Sequence, residues 1–436
     1  MLAGARRRIK RALAHPPRCR QTLRSVSTVD IKRVVIIGAG QAGGETAQRL
    51  RQGGFEGDIT LIGEEPLPPY QRPPLSKAYL LGDLSIDRLF LRPASTYQEE
   101  RIAFLPSTRA VWIDRANKRV RLEGGREIPF DALVLATGAR PRKLPLVGAD
   151  LPGVHVLRSV SDVDAMRPAF VAGARLAVIG AGYIGLEAAA VARKLGLEVT
   201  VIEAAPRPLA RVTSPEVAGF FLDEHTRHGV RFVLGGQPAL IKGKNQVTGI
   251  ALADGAEIAA DIVIAGIGVT PETSLAQHCQ LEIENGIVTD EHCRTSDPGI
   301  FAIGDCAARP IAHFDRVCRL ESVHNAVEGA KIVAATLLGH EHAVEAPWFW
   351  SDQYDLKLQI AGLFQGYDRL VLRGVMADRA FAAFYYKGEK LIAVDAINRP
   401  AEYLGAKMLI QTGRTLPPDV IVDTSRPMKE LVANAR

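Results

Sequence analysis

Two stretches of the chain decide its fold: RVVIIGAGQAGGETAQRLRQGGFEGDITLIGE, from Arg33 to Glu64, and RLAVIGAGYIGLEAAAVARKLGLEVTVIE, from Arg175 to Glu203. Each begins with a short apolar strand, turns at a GxGxxG motif into a helix of small residues, and ends a second apolar strand on Glu. This order is typical of Rossmann-like dinucleotide-binding units. The repeat therefore predicts an α/β fold that contains two such units.

The three glycines of each motif have separate physical roles. The first permits the tight turn, the second lets the backbone approach a pyrophosphate at the helix N-terminus, and the third allows the helix to pack closely on the strand. We therefore predict that all six bind cofactor. In that order, the glycines are Gly38, Gly40 and Gly43 in the first copy and Gly180, Gly182 and Gly185 in the second.

Each copy closes with a glutamate, Glu64 or Glu203, which follows the last glycine by 21 and 18 residues respectively. An acidic residue about 20 residues on accepts hydrogen bonds from an adenosine ribose. A carboxylate also repels a 2′-phosphate, so Glu203 favours NADH over NADPH. Arg207 and Arg211 follow closely. They are either ordinary loop charges or, as we predict for Arg211, a contact to the NADH pyrophosphate.

The net charge of +6 is a property of the N-terminal tail. Residues 1–28 carry eight Arg or Lys and no acidic residue, which leaves 46 basic and 48 acidic residues elsewhere. The charge therefore gives no support for a nucleic-acid-binding face. Three interpretations of the basic extension at 1–30 stay open: a targeting segment, a disordered tail, or a start codon assigned too early.

Cysteine and hydrophobicity patterns narrow the class further. The five cysteines are odd in number and lack short paired spacings, so we predict no disulfide scaffold and no metal site. No apolar run reaches the roughly 18 residues of a membrane span. These patterns favour a protein of a reducing, cytoplasmic compartment without a membrane partner.

The two glycine-rich units and a change of texture near Ala343 suggest the domain plan. We predict a dinucleotide-binding domain at 31–148 and 270–342, a second one at 149–269, and a small α+β domain at 343–436; resemblance to a known family implies that the first binds FAD and the second NADH. Within the last, Phe381–Tyr386 and Lys390–Asp395 flank a hairpin signal at Lys387-Gly388-Glu389.

Eight motifs together resemble the FAD-dependent pyridine nucleotide-disulfide oxidoreductase superfamily, whose fold is glutathione-reductase-like. Within it, the chain is similar to the ferredoxin reductases of oxygenase systems, over about residues 31–436. The motifs are VIIGAGQAGGETA, PYQRPPLSKAYL, LATGARPR, VIGAGYIGLEAAA, GIGVTPET, FAIGDCA, ESVHNAVEGAKIVAATLLG and, at the start of the C-terminal domain, PWFWSDQYDLKLQIAGL.

The chain departs from the disulfide reductases of that superfamily in its thiols. Those enzymes carry a redox cysteine pair after the first glycine motif or a CxxC in the second unit. Here neither Gly63–Leu81 nor Gly182–Ala210 contains a cysteine. Two-thiol chemistry is excluded on this inventory, so electrons must pass outward to another acceptor.

The resemblance implies a set of cofactor contacts. Gly268, in the GIGVTPET motif, is assigned to the nucleotide site. For Asp305, after Gly304 at a strand end, the resemblance implies a hydrogen bond to the ribityl chain of FAD; the alternative is a turn or capping residue. The positions that match FAD contacts are Ala42, Glu64, Arg72, Lys77, Ala110, Arg140, Asp305 and Val323.

Three residues are predicted to be catalytic. The resemblance places Lys77 near flavin N5, and Glu187 on the nicotinamide side, where it pairs with Lys77. Trp350, with Trp348 as a second candidate, is placed beside the isoalloxazine. The alternatives are a helix-face carboxylate for Glu187 and interdomain packing for Trp350.

The function implied by the resemblance is transfer of hydride from NADH to FAD and of single electrons to a 2Fe–2S ferredoxin of a cytochrome P450 or Rieske oxygenase system. The alternatives are an NADH oxidase, a rubredoxin or monodehydroascorbate reductase, or a signalling flavoprotein resembling apoptosis-inducing factor. An acidic ferredoxin needs a basic docking ring, for which Arg316, Arg319 and Lys331 are candidates. We expect a monomer or weak homodimer.

Overall fold

The computed structural model describes residues 31–435, so the predictions for residues 1–30 lie outside the described part. None of the helices in that part combines the length and the hydrophobicity that spanning a lipid bilayer requires. The elements before the second glycine motif are β1 (Arg33–Ile37), α1 (Gln41–Gln52), β2 (Asp58–Ile62), α2 (Ala78–Leu81), α3 (Ala94–Glu99), β3 (Ile102–Leu105), β4 (Ala110–Asp114), β5 (Arg119–Leu122), β6 (Glu127–Pro129), β7 (Ala132–Leu135), β8 (Ala139–Pro141), β9 (Val154–His155) and α4 (Val160–Met166).

The middle of the chain repeats this pattern and then returns to the first unit. Its elements are β10 (Arg175–Ile179), α5 (Tyr183–Lys194), β11 (Glu198–Glu203), α6 (Pro215–Arg227), β12 (Val230–Leu234), β13 (Pro238–Gly243), β14 (Val247–Leu252), β15 (Glu257–Ala259), β16 (Ile262–Ala265), β17 (Val269–Pro271), α7 (Ser274–His278), β18 (Ile283–Glu284), β19 (Gly286–Val288), β20 (Ile300–Ala302), β21 (Ala307–Ile311), β22 (Arg316–Cys318) and α8 (Val323–Leu338).

The C-terminal part consists of β23 (Trp348–Gln353), β24 (Leu356–Gly362), β25 (Arg369–Val375), β26 (Ala380–Lys387), β27 (Lys390–Ile397), α9 (Pro400–Thr412), α10 (Pro418–Val422) and α11 (Met428–Ala433). Its five strands form an antiparallel sheet in the order β23-β24-β27-β26-β25, with α9 packed on β24 and β27. The predicted hairpin is present, with Lys387 paired to Lys390.

The two glycine-rich units have the same internal plan. Each forms a five-stranded parallel sheet with its glycine-motif strand in the centre, in the orders β20-β7-β1-β2-β3 and β12-β11-β10-β16-β9. Each also carries a three-stranded antiparallel ribbon, β4-β5-β6 or β13-β14-β15. The predicted α/β fold with two Rossmann-like units and a small α+β domain is confirmed.

Buried apolar strands explain why the two sheets form. The strands β7 and β16 are buried along their whole length, as expected for parallel strands covered on both faces. The two units are linked where β8 pairs antiparallel with β17. The proposed domain boundaries near 148 and 269 flank this region and stay predictions.

Candidate functional site

A cavity of about 1010 Å³ opens at the carboxyl ends of β1, β2 and β16 and reaches the C-terminal sheet. Ligands of parallel α/β sheets bind outside these strand ends. The cavity wall includes sixteen of the residues predicted from the sequence: Gly38, Gly40, Ala42, Glu64, Arg72, Lys77, Ala110, Arg140, Gly182, Gly185, Glu187, Arg211, Gly268, Asp305, Val323 and Trp350. The structure does not bring Gly43, Gly180 or Glu203 to this wall.

The first glycine turn shows why each of its positions is glycine. Gly38 has φ +110°, and a Cβ there would lie 2.1 Å from the carbonyl oxygen of Ala136. A Cβ on Gly43 would lie 1.9 Å from the oxygen of Gly38, so helix and strand pack without room for a side chain. A Cβ on Gly40 would meet nothing within 4 Å, because this position faces the cavity.

The second turn repeats this geometry. Gly180 has φ +101°, and a Cβ there would lie 2.5 Å from the oxygen of Gly266. A Cβ on Gly185 would lie 2.4 Å from the oxygen of Gly180, whereas one on Gly182 would meet nothing within 4 Å. The two copies therefore form equivalent cradles on one cavity.

Both cradles fit the phosphates of a dinucleotide. Gly40 and Gly182 are the N-cap positions of α1 and α5, and neither helix has a side-chain cap or an acidic residue in its first turn. Unpaired backbone N–H groups and the positive end of the helix dipole attract anions at such termini. The residues present are thus suited to FAD and NADH together.

The two closing glutamates lie in different environments. Glu64 is half-exposed on the cavity wall, where its carboxylate lies 3.1 Å from Arg140 and 3.7 Å from Arg109. Glu203 lies behind its turn and accepts backbone hydrogen bonds from Ala181 (2.7 Å) and Ala205 (2.8 Å). Each carboxylate oxygen has a second lone pair, so these bonds do not prevent a ribose contact.

Arg72 and Asp305 are joined by residues that sequence reasoning missed. Arg72 pairs with Glu65 at 2.6 Å and donates to the carbonyl of Arg158 at 2.6 Å. The Arg158 guanidinium in turn lies 2.9 Å from the Asp305 carboxylate. Glu65 was detectable beside Glu64, but no sequence signal marks Arg158, which follows a two-residue strand and precedes the capped start of α4.

The buried Glu187 forms an ion pair with the partly buried Lys77, whose Nζ lies 2.6 Å from Glu187 Oε2. Ser76 donates to the same oxygen at 2.5 Å, and Ser351 donates to Oε1 at 2.6 Å. Lys77 is the N-cap residue of α2 and also donates to the carbonyl of Pro73 at 3.2 Å. The predicted pair is therefore present as a contact, with two serines that sequence reasoning missed. Ser351 alternates with the two tryptophans along the strand, a signal that would have placed it on the opposite face.

The other predicted FAD contacts lie along the first unit's wall. Ala42 and Ala110 present buried methyl groups, and Val323 is the first residue of α8, which Ser322 caps through Asn325 N. Arg140 pairs with Glu64 and with Glu272. Their roles toward a cofactor stay predictions.

On the second unit's side, the two arginines after Glu203 differ. Arg211 reaches the cavity wall, and its guanidinium lies near Gly268, which has φ +95°. Arg207 donates to the carbonyls of Ala210 and Thr213 instead. Arg207 is thus held in its own loop, which leaves Arg211 as the one of the two that faces a ligand.

Trp350 lies on β23, where the large cavity meets a second cavity of about 450 Å³. Trp348 lines only the second cavity and lies 5.6 Å from Trp350 between ring centroids. Lys407 Nζ lies 5.4 Å from the centre of the Trp348 ring. The two tryptophans therefore lead from the cavity toward a surface that carries a cation.

The three proposed docking cations already have partners on this chain. Lys331 belongs to a cluster with Glu345, and the hydrogen bond from Lys331 lowers the pKa of that carboxyl to about 2. Their role in docking stays a prediction. The contacts are Arg316 with Gln365 and Phe314, Arg319 with Glu321 and the Asp305 carbonyl, and Lys331 with Glu345 and Glu328.

The cysteines of the described part are free thiols away from the cavity wall. Cys306 follows Asp305 but is fully buried, and burial raises the pKa of its thiol. Burial also raises the pKa of Cys293 to about 12. Neither thiol has the lowered pKa of a reactive cysteine.

Comparison with known proteins agrees with this geometry. Residues 32–330 match the family described as pyridine nucleotide-disulphide oxidoreductase, and residues 348–432 match the reductase C-terminal family. Rhodocoxin reductase of Rhodococcus erythropolis is 46% identical over 402 residues, covering 92% of this chain and 94% of that protein.

Two solved structures share the whole architecture. The covalent putidaredoxin reductase–putidaredoxin complex matches with a TM-score of 0.91 and 42% identity, over 93% of this chain and 99% of the matched chain. The ferredoxin reductase for the CYP199A2 system from Rhodopseudomonas palustris matches with a TM-score of 0.89 and 42% identity, over 92% of this chain and 99% of that one.

Proposed function

The chain belongs to the pyridine nucleotide-disulphide oxidoreductase family, and we propose that it is the NADH-dependent, FAD-containing ferredoxin reductase of an oxygenase system. The observation that carries this is the pair of uncapped helix N-termini, α1 and α5, that open on one cavity beside Trp350. The similarity to reductases spans nearly the full length of both chains, so it applies to the whole protein.

The two glycine turns do the binding work. The backbone amides at the starts of α1 and α5 hold the pyrophosphates of FAD and NADH, and the absence of a Cβ at Gly40 and Gly182 lets each pyrophosphate approach them. FAD held there would supply the chemistry that protein side chains lack, namely acceptance of a hydride from NADH and release of single electrons. Glu203 near the second cradle disfavours a 2′-phosphate.

Lys77 and Glu187 set the electrostatics of the cavity floor. The Lys77 ammonium places a positive charge where negative charge develops during reduction, and Glu187 fixes its position through the 2.6 Å ion pair. The aromatic side chains of Tyr183, Phe349 and Trp350 line the same region and exclude water from it.

Electrons leave toward a partner protein in this proposal, because residues 31–435 offer no thiol pair beside the cavity. The described cysteines are free, and none lines the wall. We propose that a 2Fe–2S ferredoxin docks at the surface of Trp348 and Trp350, with an acidic face toward Lys331, Lys407 and Arg316. The ferredoxin serves a cytochrome P450 or Rieske oxygenase in this proposal.

The remaining features of the proposal concern assembly and location. We propose that residues 31–148 and 270–342 bind FAD, that 149–269 bind NADH, and that the protein acts as a monomer or weak homodimer. The free thiols fit a reducing compartment such as the cytoplasm.

Anaerobic titration of the purified flavoprotein tests the proposal. One equivalent of NADH should bleach the flavin, NADPH should act far more slowly, and a 2Fe–2S ferredoxin should then support cytochrome c reduction. Faster reduction of a rubredoxin, direct reduction of oxygen or monodehydroascorbate, or a slow reaction with a long-lived complex would assign the chain to one of the alternative classes.

A further inference from the structure

Glu187 lies where three parts of the chain meet. It belongs to α5 of the second unit, its partners Ser76 and Lys77 belong to the first unit, and its partner Ser351 belongs to β23 of the C-terminal sheet. The carboxylate is buried, with 4% of the residue exposed. Each part therefore contributes to holding one charge.

The strand β23 has two faces with different surroundings. On one face Phe349 packs on Tyr183 at 4.9 Å between ring centroids, and Ser351 contacts Glu187. On the same face Gln353 lies against His225 of α6. The tryptophans occupy the alternate positions, as the two-residue period of a strand requires. One element thus carries both the tryptophan face and the support of Glu187.

The donor and acceptor of each hydrogen bond beyond Ser351 can be assigned in turn. Ser351 has a single proton and gives it to Glu187, so it accepts from Gln353 Nε2 at 3.2 Å. Gln353 Oε1 must then accept from His225 Nε2, at 2.7 Å. Tyr354 donates to His225 Nδ1 at 3.1 Å. This is the assignment that satisfies every member.

The assignment requires a neutral His225 that carries its proton on Nε2. The residue is fully buried, and burial lowers the pKa of its imidazole to about 4. A neutral ring can accept from Tyr354 and donate to Gln353 at the same time. A buried carboxylate needs such donors, because an unsolvated charge is costly to hold in the interior.

We propose that Ser351, Gln353 and His225 are positioning residues, a chain of donors that holds Glu187 aligned with Lys77 from the side of the C-terminal sheet. This inference rests on the proposed function, since it concerns the residues that support the reductase site. It gives the C-terminal domain a part in hydride transfer besides presenting its tryptophans to a partner.

A double-mutant cycle on the holoenzyme tests whether Ser351 acts through Glu187. Ser351→Ala should slow the anaerobic reduction of the flavin by NADH by roughly tenfold to a hundredfold, as expected for loss of a hydrogen bond to a charged group. In an E187Q background the same change should cost less than about twofold, because Ser351 acts through the carboxylate. Thr226→Ala, next to His225 but bonded within its own helix, is the matched control.

A second measurement does not depend on turnover. In the wild-type holoenzyme, 15N spectra of histidine should show His225 as the neutral Nε2–H form between about pH 6 and 8. Gln353→Met should remove its acceptor and shift that signal while FAD stays bound. A charged His225 or the Nδ1–H form would overturn the assigned direction.

The outcomes separate the two hypotheses. Equal slowing by Ser351→Ala with and without E187Q would overturn the positioning role and leave the reductase function intact. Wild-type protein that does not bind FAD, or whose bound FAD is not reduced by NADH, would instead contradict the proposed function itself.

Discussion

The hydroxyl of Tyr385 donates a 2.6 Å hydrogen bond to the carboxyl of Asp395, which is buried where the C-terminal sheet meets the second unit. Thr213, from the second unit, donates to the same oxygen. Burial raises the pKa of Asp395 to about 6, despite these two donors. Asp395 is therefore a titratable carboxyl at the contact between the C-terminal sheet and the second unit.

The raised pKa of Asp395 predicts that the free energy of unfolding falls as pH rises. A raised folded-state pKa means that the folded protein binds the Asp395 proton more tightly than the unfolded chain does. The contribution of this proton to the free energy of unfolding is therefore full below about pH 4 and is lost as pH rises through about 6. Asp395→Asn should remove this dependence and raise the free energy of unfolding at pH 8 by about 2–3 kcal/mol. Thermal unfolding of the holoenzyme at pH 5 and pH 8 measures it. A variant as pH-dependent as wild type contradicts the assignment.

The first glycine turn predicts that two similar substitutions affect different properties, cofactor binding in one case and folding stability in the other. Gly40→Ala places a methyl group in the cavity and should weaken FAD binding on the order of tenfold with little change in the folded apoprotein. Gly43→Ala should destabilise the protein by about 3 kcal/mol, because its Cβ would overlap the Gly38 carbonyl. Gly219→Ala, in α6 with open space around it, is the control and should stabilise slightly. FAD content and unfolding curves distinguish these outcomes.

Glu203 should govern the choice of nicotinamide cofactor. Glu203→Ala removes the acceptor for Ala181 N and the repulsion of a 2′-phosphate, so KM for NADH should rise about tenfold while the preference over NADPH shrinks. Arg207→Ala should leave the preference unchanged, because that guanidinium is bound to loop carbonyls. Steady-state kinetics with both cofactors provide the comparison. A larger effect from Arg207 would reverse the two roles.

Trp350 should matter for the partner more than for NADH. Trp350→Ala should lower the rate of ferredoxin reduction at least about tenfold and lower the NADH-dependent reduction of ferricyanide, a small acceptor, by a clearly smaller factor. Trp350→Phe should recover part of the loss. Parallel assays with the two acceptors test this, and equal losses in both would mean that Trp350 supports the site as a packing residue.

The cation cluster beside Trp348 should respond to removal of its carboxylate. Glu345 pairs with Lys331 at 2.8 Å and Lys407 at 3.0 Å, which neutralises both toward an acidic partner. Glu345→Gln should increase the association rate with an acidic ferredoxin several-fold at low salt, and the gain should vanish at high salt. Glu257 pairs with Lys242 in the ribbon β13-β14-β15, so Glu257→Gln is a matched control. An unchanged rate would place docking elsewhere.

Local patterns were enough to predict the cradles. Gly38 and Gly180 needed positive φ angles, and Gly43 and Gly185 needed the absence of a Cβ, all within one strand, turn and helix. The cap-free starts of α1 and α5 likewise belong to the local motif, because each N-cap is a glycine of the turn itself. Such features follow from sterics and hydrophobic period, which a sequence displays directly.

Contacts across the chain were predicted less well. Arg158 reaches Asp305 over 147 positions, and Ser351 reaches Glu187 over 164. No periodicity links such residues, because their distance is set by how three separately folded parts pack. Glu203 is a further example. The motif predicted its position at the end of the strand, but not the hydrogen bonds that it accepts from two backbone amides.

The two copies of the repeat show which features follow from the local sequence and which from tertiary packing. Glu45 and Glu187 occupy the same position in the two copies, five residues after the second glycine. Glu45 pairs with Arg49 of its own helix at 3.2 Å, whereas Glu187 is buried against Lys77. The sequence alone determined two nucleotide cradles, because backbone sterics act locally. Only the tertiary structure decided which carboxylate became part of the site, because that depends on which charged side chain another part of the chain brings to it.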